Sequence, residues 1–71
     1  MSLHEAYSVL EAPVEATDSE IKKAYRIKAS KFHPDKLKSK DLPEEFIHFA
    51  NSELAKINLA HKTILNSRKK S

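Results

Sequence analysis

The sequence predicts an all-α domain in which a short first helix packs on an antiparallel hairpin of two long helices. Three observations support this. Apolar residues recur at helical rather than alternating spacing. A strong helix-start signal stands at Thr17-Asp18-Ser19-Glu20. The chain has no glycine and three prolines, and those prolines fall where helices must begin or end.

Seventy-one residues suffice for one core and no more, so residues 1–71 form a single domain. With no cysteine, disulfides and thiolate metal sites are excluded, and stability rests on helix packing. Apolar runs stop at doublets such as Val9-Leu10 and Phe46-Ile47, far from the ~20 residues that cross a bilayer. Met1-Ser2-Leu3 reads as an expression-vector start, and the chain as a domain excised from a longer protein.

Leu3, Tyr7 and Leu10 share one helical face, and Pro13 forbids continuation, which places the first helix over residues 3–11. In the next start signal the Thr17 hydroxyl and the Glu20 carboxylate can each satisfy a backbone N–H of the other, so the second helix begins at Asp18. Ile21, Ala24, Tyr25 and Phe32 fall near one face at about 100° per residue. Pro34 disfavours helical geometry at His33, which ends this helix at Phe32.

Residues 33–41 are expected to be a polar, lysine-rich loop. Leu42-Pro43-Glu44-Glu45 then opens the third helix, with proline in the first turn and carboxylates at the positive end of the helix dipole. The third helix is assigned to residues 42–66, about 37 Å at 1.5 Å per residue. Its stripe comprises Phe46, Phe49, Ala50, Ile57, Ala60, His61 and Ile64. The two phenylalanines and two isoleucines are read as core, Leu59 as a lone surface leucine, and Lys62, Arg68, Lys69 and Lys70 as bases at or beyond the negative dipole end.

Net charge is +3, but its distribution is lopsided. The first twenty residues hold Glu5, Glu11, Glu15, Asp18 and Glu20 and no Lys or Arg. Residues 22–40 hold Lys22, Lys23, Arg26, Lys28, Lys31, Lys36, Lys38 and Lys40 against a single acid, Asp35. Such a stripe predicts an acidic partner, protein or nucleic acid. At the hairpin tip, Pro34 stiffens the backbone and leaves the His33 imidazole and Asp35 carboxylate projecting in few directions. Asp35 either pairs with a neighbouring lysine or awaits an arginine on a partner.

Catalytic readings fail on spacing. Ser30, His33 and Asp35 lie within five residues around a proline, with no glycine-rich oxyanion loop, so they do not make a triad. His4, His33, His48 and His61 include no i,i+4 pair, so no metal site is assigned. No catalytic or cofactor-binding residue is expected, and the chain is read as a docking module rather than an enzyme.

Ile21-Lys22-Lys23-Ala24-Tyr25-Arg26, Ala29 and His33-Pro34-Asp35-Lys36, followed by Ile57-Asn58-Leu59-Ala60-His61, resemble the J domain of DnaJ-type co-chaperones. The resemblance covers nearly the whole chain. His33-Pro34-Asp35-Lys36-Leu37 with Lys40-Asp41-Leu42-Pro43-Glu44 is similar to the C-terminal J domain of DjlA-like, membrane-anchored bacterial co-chaperones. The stretch from Asp41 to Phe49, roughly two helical turns longer than in a typical J domain, agrees with that subtype. The family's short fourth helix is expected to be missing, replaced by residues 66–71.

The resemblance implies docking on a DnaK-type chaperone in its ATP-bound state and stimulation of its ATP hydrolysis, with clients engaged by other parts of a parent chain. It further implies a cytoplasmic setting, the parent being anchored in the bacterial inner membrane. Carried over by position, Lys22, Tyr25 and Arg26 form a docking face, His33, Pro34 and Asp35 the trigger, and Lys23 and Lys36 auxiliary charges.

On the helical wheel Lys22, Arg26 and Ala29 lie beside Tyr25 and away from the buried face, as one basic strip. The Tyr25 ring is expected to be half-buried with its hydroxyl reaching water. His61 stands where J domains commonly have tyrosine and is read as an aromatic filler. Lys28 occupies a position where the family places a buried leucine. Either its stem snorkels over the core edge, or the second helix is slightly rotated. The rival reading from composition is a small basic helical nucleic-acid-binding domain, in keeping with an isoelectric point near 9.3.

Overall fold

Helix α1, Leu3–Leu10, starts where the Ser2 hydroxyl accepts the Glu5 N–H at 3.1 Å in the computed structural model of the chain. Ser2 therefore caps a helix, a role that reading it as part of a vector remnant overlooks. The helix ends at Glu11, whose φ of 54° is left-handed. The structure describes residues 1–38 and 41–69, without the side chain of Lys38. Lys40 of the basic stripe and Lys70 and Ser71 of the expected tail lie outside the described residues.

Helix α2, Asp18–Lys31, begins with the anticipated reciprocal cap. The Glu20 N–H donates to Thr17 Oγ1 at 3.1 Å, and the Thr17 N–H donates to Glu20 Oε1 at 2.9 Å. Its end at Lys31 is one residue short of the expected boundary. The stretch read as loop, 33–41, is partly helical: α3 spans Pro34–Lys38. Pro34 does keep His33 out of helical geometry, but its fixed φ also suits a first helical position. The His33 carbonyl accepts from the N–H groups of Lys36 and Leu37 at 3.1 and 3.2 Å, and buried Leu37 pins the turn.

Helix α4, Glu44–Arg68, is the expected third helix displaced two residues towards the C-terminus. It continues through Asn66, Ser67 and Arg68, so the start of the expected non-helical tail is helix. The pairs Asp18–Arg68, Tyr25–Asn58 and Phe32–Phe49 have nearly constant residue sums, the signature of an antiparallel α2–α4 hairpin. Helix α1 packs across it. The core comprises Ala6, Tyr7, Leu10, Ala16, Ile21, Ile57, Ala60 and Ile64.

Phe46 and Phe49 are not core: they are 42% and 52% exposed. They lie on the same stripe as Ile57 and Ile64, but α2 ends at Lys31, so the first two turns of α4 overhang it. Phe49 meets Phe32 edge-to-face, with ring centroids 6.3 Å apart, and otherwise leans on its neighbour Phe46, also at 6.3 Å. Leu59 is exposed, as expected.

Lys28 follows the first of its two alternatives. Its side chain is 23% exposed and its ammonium pairs with Glu11 at the end of α1, so the stem covers the core edge while the charge reaches out. Ile27 takes the outward position, 49% exposed. Arg68, read only as a base at the dipole end, closes the fold. Its Nε and Nη2 donate to the Tyr7 hydroxyl at 3.2 and 2.9 Å, Nη2 also to the Ala16 carbonyl at 2.7 Å, and Nη1 to Asp18 at 2.6 Å. Among the described residues no helix is long and apolar enough to cross a membrane.

Candidate functional site

The site is built on α2 and on the turn that closes it. Ile21 faces the core, which turns Lys22 and Arg26 outward and leaves Tyr25 half-buried between the two orientations. Lys22, Lys23, Arg26 and Lys31 form no ion pair among the described residues. A cluster of unneutralised cations on one helix raises the local positive potential that steers an acidic surface. From Tyr25 to the end of α2 at Lys31 the helix climbs about 9 Å at 1.5 Å per residue, and His33 stands two residues beyond, so face and tip are near enough for one partner to touch both.

At the tip the histidine is locally ordered. The Asp35 N–H donates to His33 Nδ1 at 3.3 Å, which puts the proton of a neutral imidazole on Nε2, the outward donor. The Asp35 carboxylate stands 3.8 Å from Nδ1, too far for a hydrogen bond, and its side chain is 85% exposed. Pro34 is half-buried and begins α3. Lys36 follows on the same turn, exposed. The tip thus presents a donor and a full negative charge on a short, pinned helical turn. Ser30 does not join them, because its hydroxyl donates to the Ile27 carbonyl at 3.0 Å.

Two expectations need correcting. The Tyr25 hydroxyl does not end in water alone: it donates to Asn58 Oδ1 on α4 at 2.7 Å, and its ring stacks on His61 with centroids 4.1 Å apart and planes at 12°. Ala29, placed on the outward strip by the wheel, is partly buried against the core. Lys23 also stands apart from Lys22 and Arg26. It lines a shallow groove with Glu20, Ala24 and Ile27 of α2 and with Ala12 and Pro13 of the α1–α2 connection.

His61 is more than a filler. Partial burial, and secondarily the charge of Lys22, hold its pKa below the ordinary 6.5, so the ring facing Tyr25 is neutral at physiological pH. Asn58 entered the sequence reading only as part of Ile57-Asn58-Leu59-Ala60-His61, with no role of its own. The available signal was its i,i+3 spacing with His61, which puts both on one face of α4, but pairing with Tyr25 depends on the register between helices. Among the described residues no group of three or more His, Asp or Glu side chains is placed to hold a metal.

Comparison with known proteins bears on this arrangement directly. The chain is 46% identical over 66 residues to the co-chaperone protein DjlA of Coxiella burnetii, covering 93% of this chain and 24% of that protein. To the DjlA of Shewanella oneidensis it is 40% identical over 67 residues, covering 94% and 26%. To protein HLJ1 of Saccharomyces cerevisiae it is 43% identical over 68 residues, covering 96% and 27%. The chain therefore spans about a quarter of the length of these relatives. No solved structure gives a significant match. The model of the DnaJ domain matches residues 5–71, which takes in the capped α2, the His33-Pro34-Asp35 turn and all of α4, and the chain belongs to the DnaJ domain family.

Proposed function

We propose that this domain docks on a DnaK-type chaperone in its ATP-bound state and stimulates that partner's ATP hydrolysis. It is a regulator of another protein's ATPase, and clients are engaged by other segments of a longer chain. The observation that carries the reading is the exposed His33-Pro34-Asp35 turn, pinned by Leu37 at the end of a capped basic helix. The names of the DjlA relatives, co-chaperone proteins, support it.

In this reading Lys22 and Arg26 guide encounter with an acidic surface, Tyr25 supplies the contact between them, and His33 and Asp35 engage the partner at the tip. Lys36 adds charge beside Asp35, and Lys23 acts at longer range from its separate groove. Exposed charges of this kind set rate and orientation more than affinity, so docking is weak and falls with added salt. By similarity to the DjlA proteins, the setting is the cytoplasmic face of a bacterial inner membrane, to which a parent chain would tether the domain. The nucleic-acid reading gains no support from the comparisons.

The test is the steady-state ATP turnover of a DnaK-type chaperone with the wild-type domain, with His33→Gln and with Asp35→Asn. Stimulation by the wild type alone is expected. Both side chains are exposed, so circular dichroism should show both variants folded. Equal stimulation by all three would overturn the proposal.

A further inference from the structure

Tyr25 belongs to α2, yet α4 holds both ends of its side chain. Asn58 accepts its hydroxyl at 2.7 Å and His61 lies flat against its ring at 4.1 Å. The two are i,i+3 neighbours, about 4.5 Å apart along the axis of α4, which lets one grip the phenol's polar end while the other backs its ring. Asn58 is itself exposed, so this bond fixes the phenol at the protein surface rather than satisfying a hydroxyl sealed in the core. Partial burial and Lys22 keep the imidazole neutral, so the charge of this surface stays on Lys22 and Arg26.

We propose that Asn58 and His61 are positioning residues for Tyr25, so that the face offered to the chaperone is a platform spanning both long helices. The inference rests on the docking reading above. A tyrosine on an exposed helix face samples several rotamers, and freezing one on binding costs affinity. Here α4 has frozen it beforehand. Loss of either support should weaken docking by about three- to tenfold, the range for one immobilised side chain, without altering what the tip does once bound.

The experiment is to titrate chaperone ATP turnover against the concentration of wild-type domain, Asn58→Ala, His61→Ala, His61→Phe and His33→Gln. Asn58→Ala and His61→Ala are expected to raise the half-saturating concentration about three- to tenfold while reaching the wild-type maximum. His61→Phe, which keeps a stacking ring, should restore the wild-type midpoint, and His33→Gln should lower the maximum instead. Unchanged midpoints for Asn58→Ala and His61→Ala beside a stimulating wild type would overturn this inference alone. Absence of stimulation by the wild type would overturn the docking reading and this inference with it. Asn58→Ala removes an exposed side chain and keeps the test decisive should His61→Ala fold poorly.

Discussion

Replacing Arg68 by alanine removes one side chain that ties the end of α4 to three other segments: the Tyr7 hydroxyl of α1, the Ala16 carbonyl of the connection and the Asp18 carboxylate of α2. The contacts are unequal. Asp18 is 82% exposed, so its ion pair contributes less than about 1 kcal/mol. Tyr7 and Ala16 are each only 6% exposed, so the bonds to their oxygens are harder for water to replace, at about 1 kcal/mol each. The total is about 2–3 kcal/mol, which for a domain of this size lowers Tm by roughly 10–20 °C. Thermal and urea unfolding of Arg68→Ala measure it, with Asp18→Asn as the control that should cost less than about 1 kcal/mol. The reasoning is refuted if Arg68→Ala unfolds within about 0.5 kcal/mol of wild type, or if Asp18→Asn costs as much as Arg68→Ala. Arg68 is remote from the tip, so below the lowered Tm stimulation of a chaperone should persist.

Four further outcomes follow from particular contacts. The Glu20 carboxyl is held below its ordinary 4.5, first by the Thr17 backbone N–H and then by the Thr17 side chain. Its stabilising effect is therefore present above about pH 4.5 and lost as pH falls through the lowered value, so the urea midpoint of wild type should drop more steeply there than that of Glu20→Gln. His61 titrates below 6.5, chiefly through burial and secondly through Lys22, so NMR titration of Lys22→Gln should show a partial return towards 6.5, and an unchanged value would exclude the charge effect. Because the unfolded histidine binds a proton before the folded one does, stability should decline as pH falls below about 6.5 and be insensitive to this group above it. Finally, Ile64→Ala, at full burial, should cost about 2–4 kcal/mol, whereas Phe46→Ala should cost under about 1.5 kcal/mol by denaturant midpoint; equal costs would mean that the overhanging phenylalanine is packed after all.

Much of the candidate site was legible because its signals are local. The reciprocal cap at Thr17 and Glu20, the stop imposed by Pro34 and the run of cations all arise within a few residues, where backbone sterics and side-chain reach decide the outcome without help from the rest of the chain. The helical turn of Pro34–Lys38 was local too, but proline sends two messages, ending one helix and starting another, and only the first was read.

What tertiary structure decided were matters of register and length. Periodicity put Phe46 and Phe49 on the right stripe of α4, but whether a stripe is covered depends on where the facing helix ends, and α2 ends too early. The partners of Tyr25, and the threefold grip of Arg68, join residues 33 to 61 positions apart, distances over which no periodic pattern specifies a pairing. By itself the sequence determined a capped basic helix ending in a stiff His33-Pro34-Asp35 turn. The packing of α4 against that helix decided what holds Tyr25, because the antiparallel register is what sets the face carrying Asn58 and His61 against its side chain.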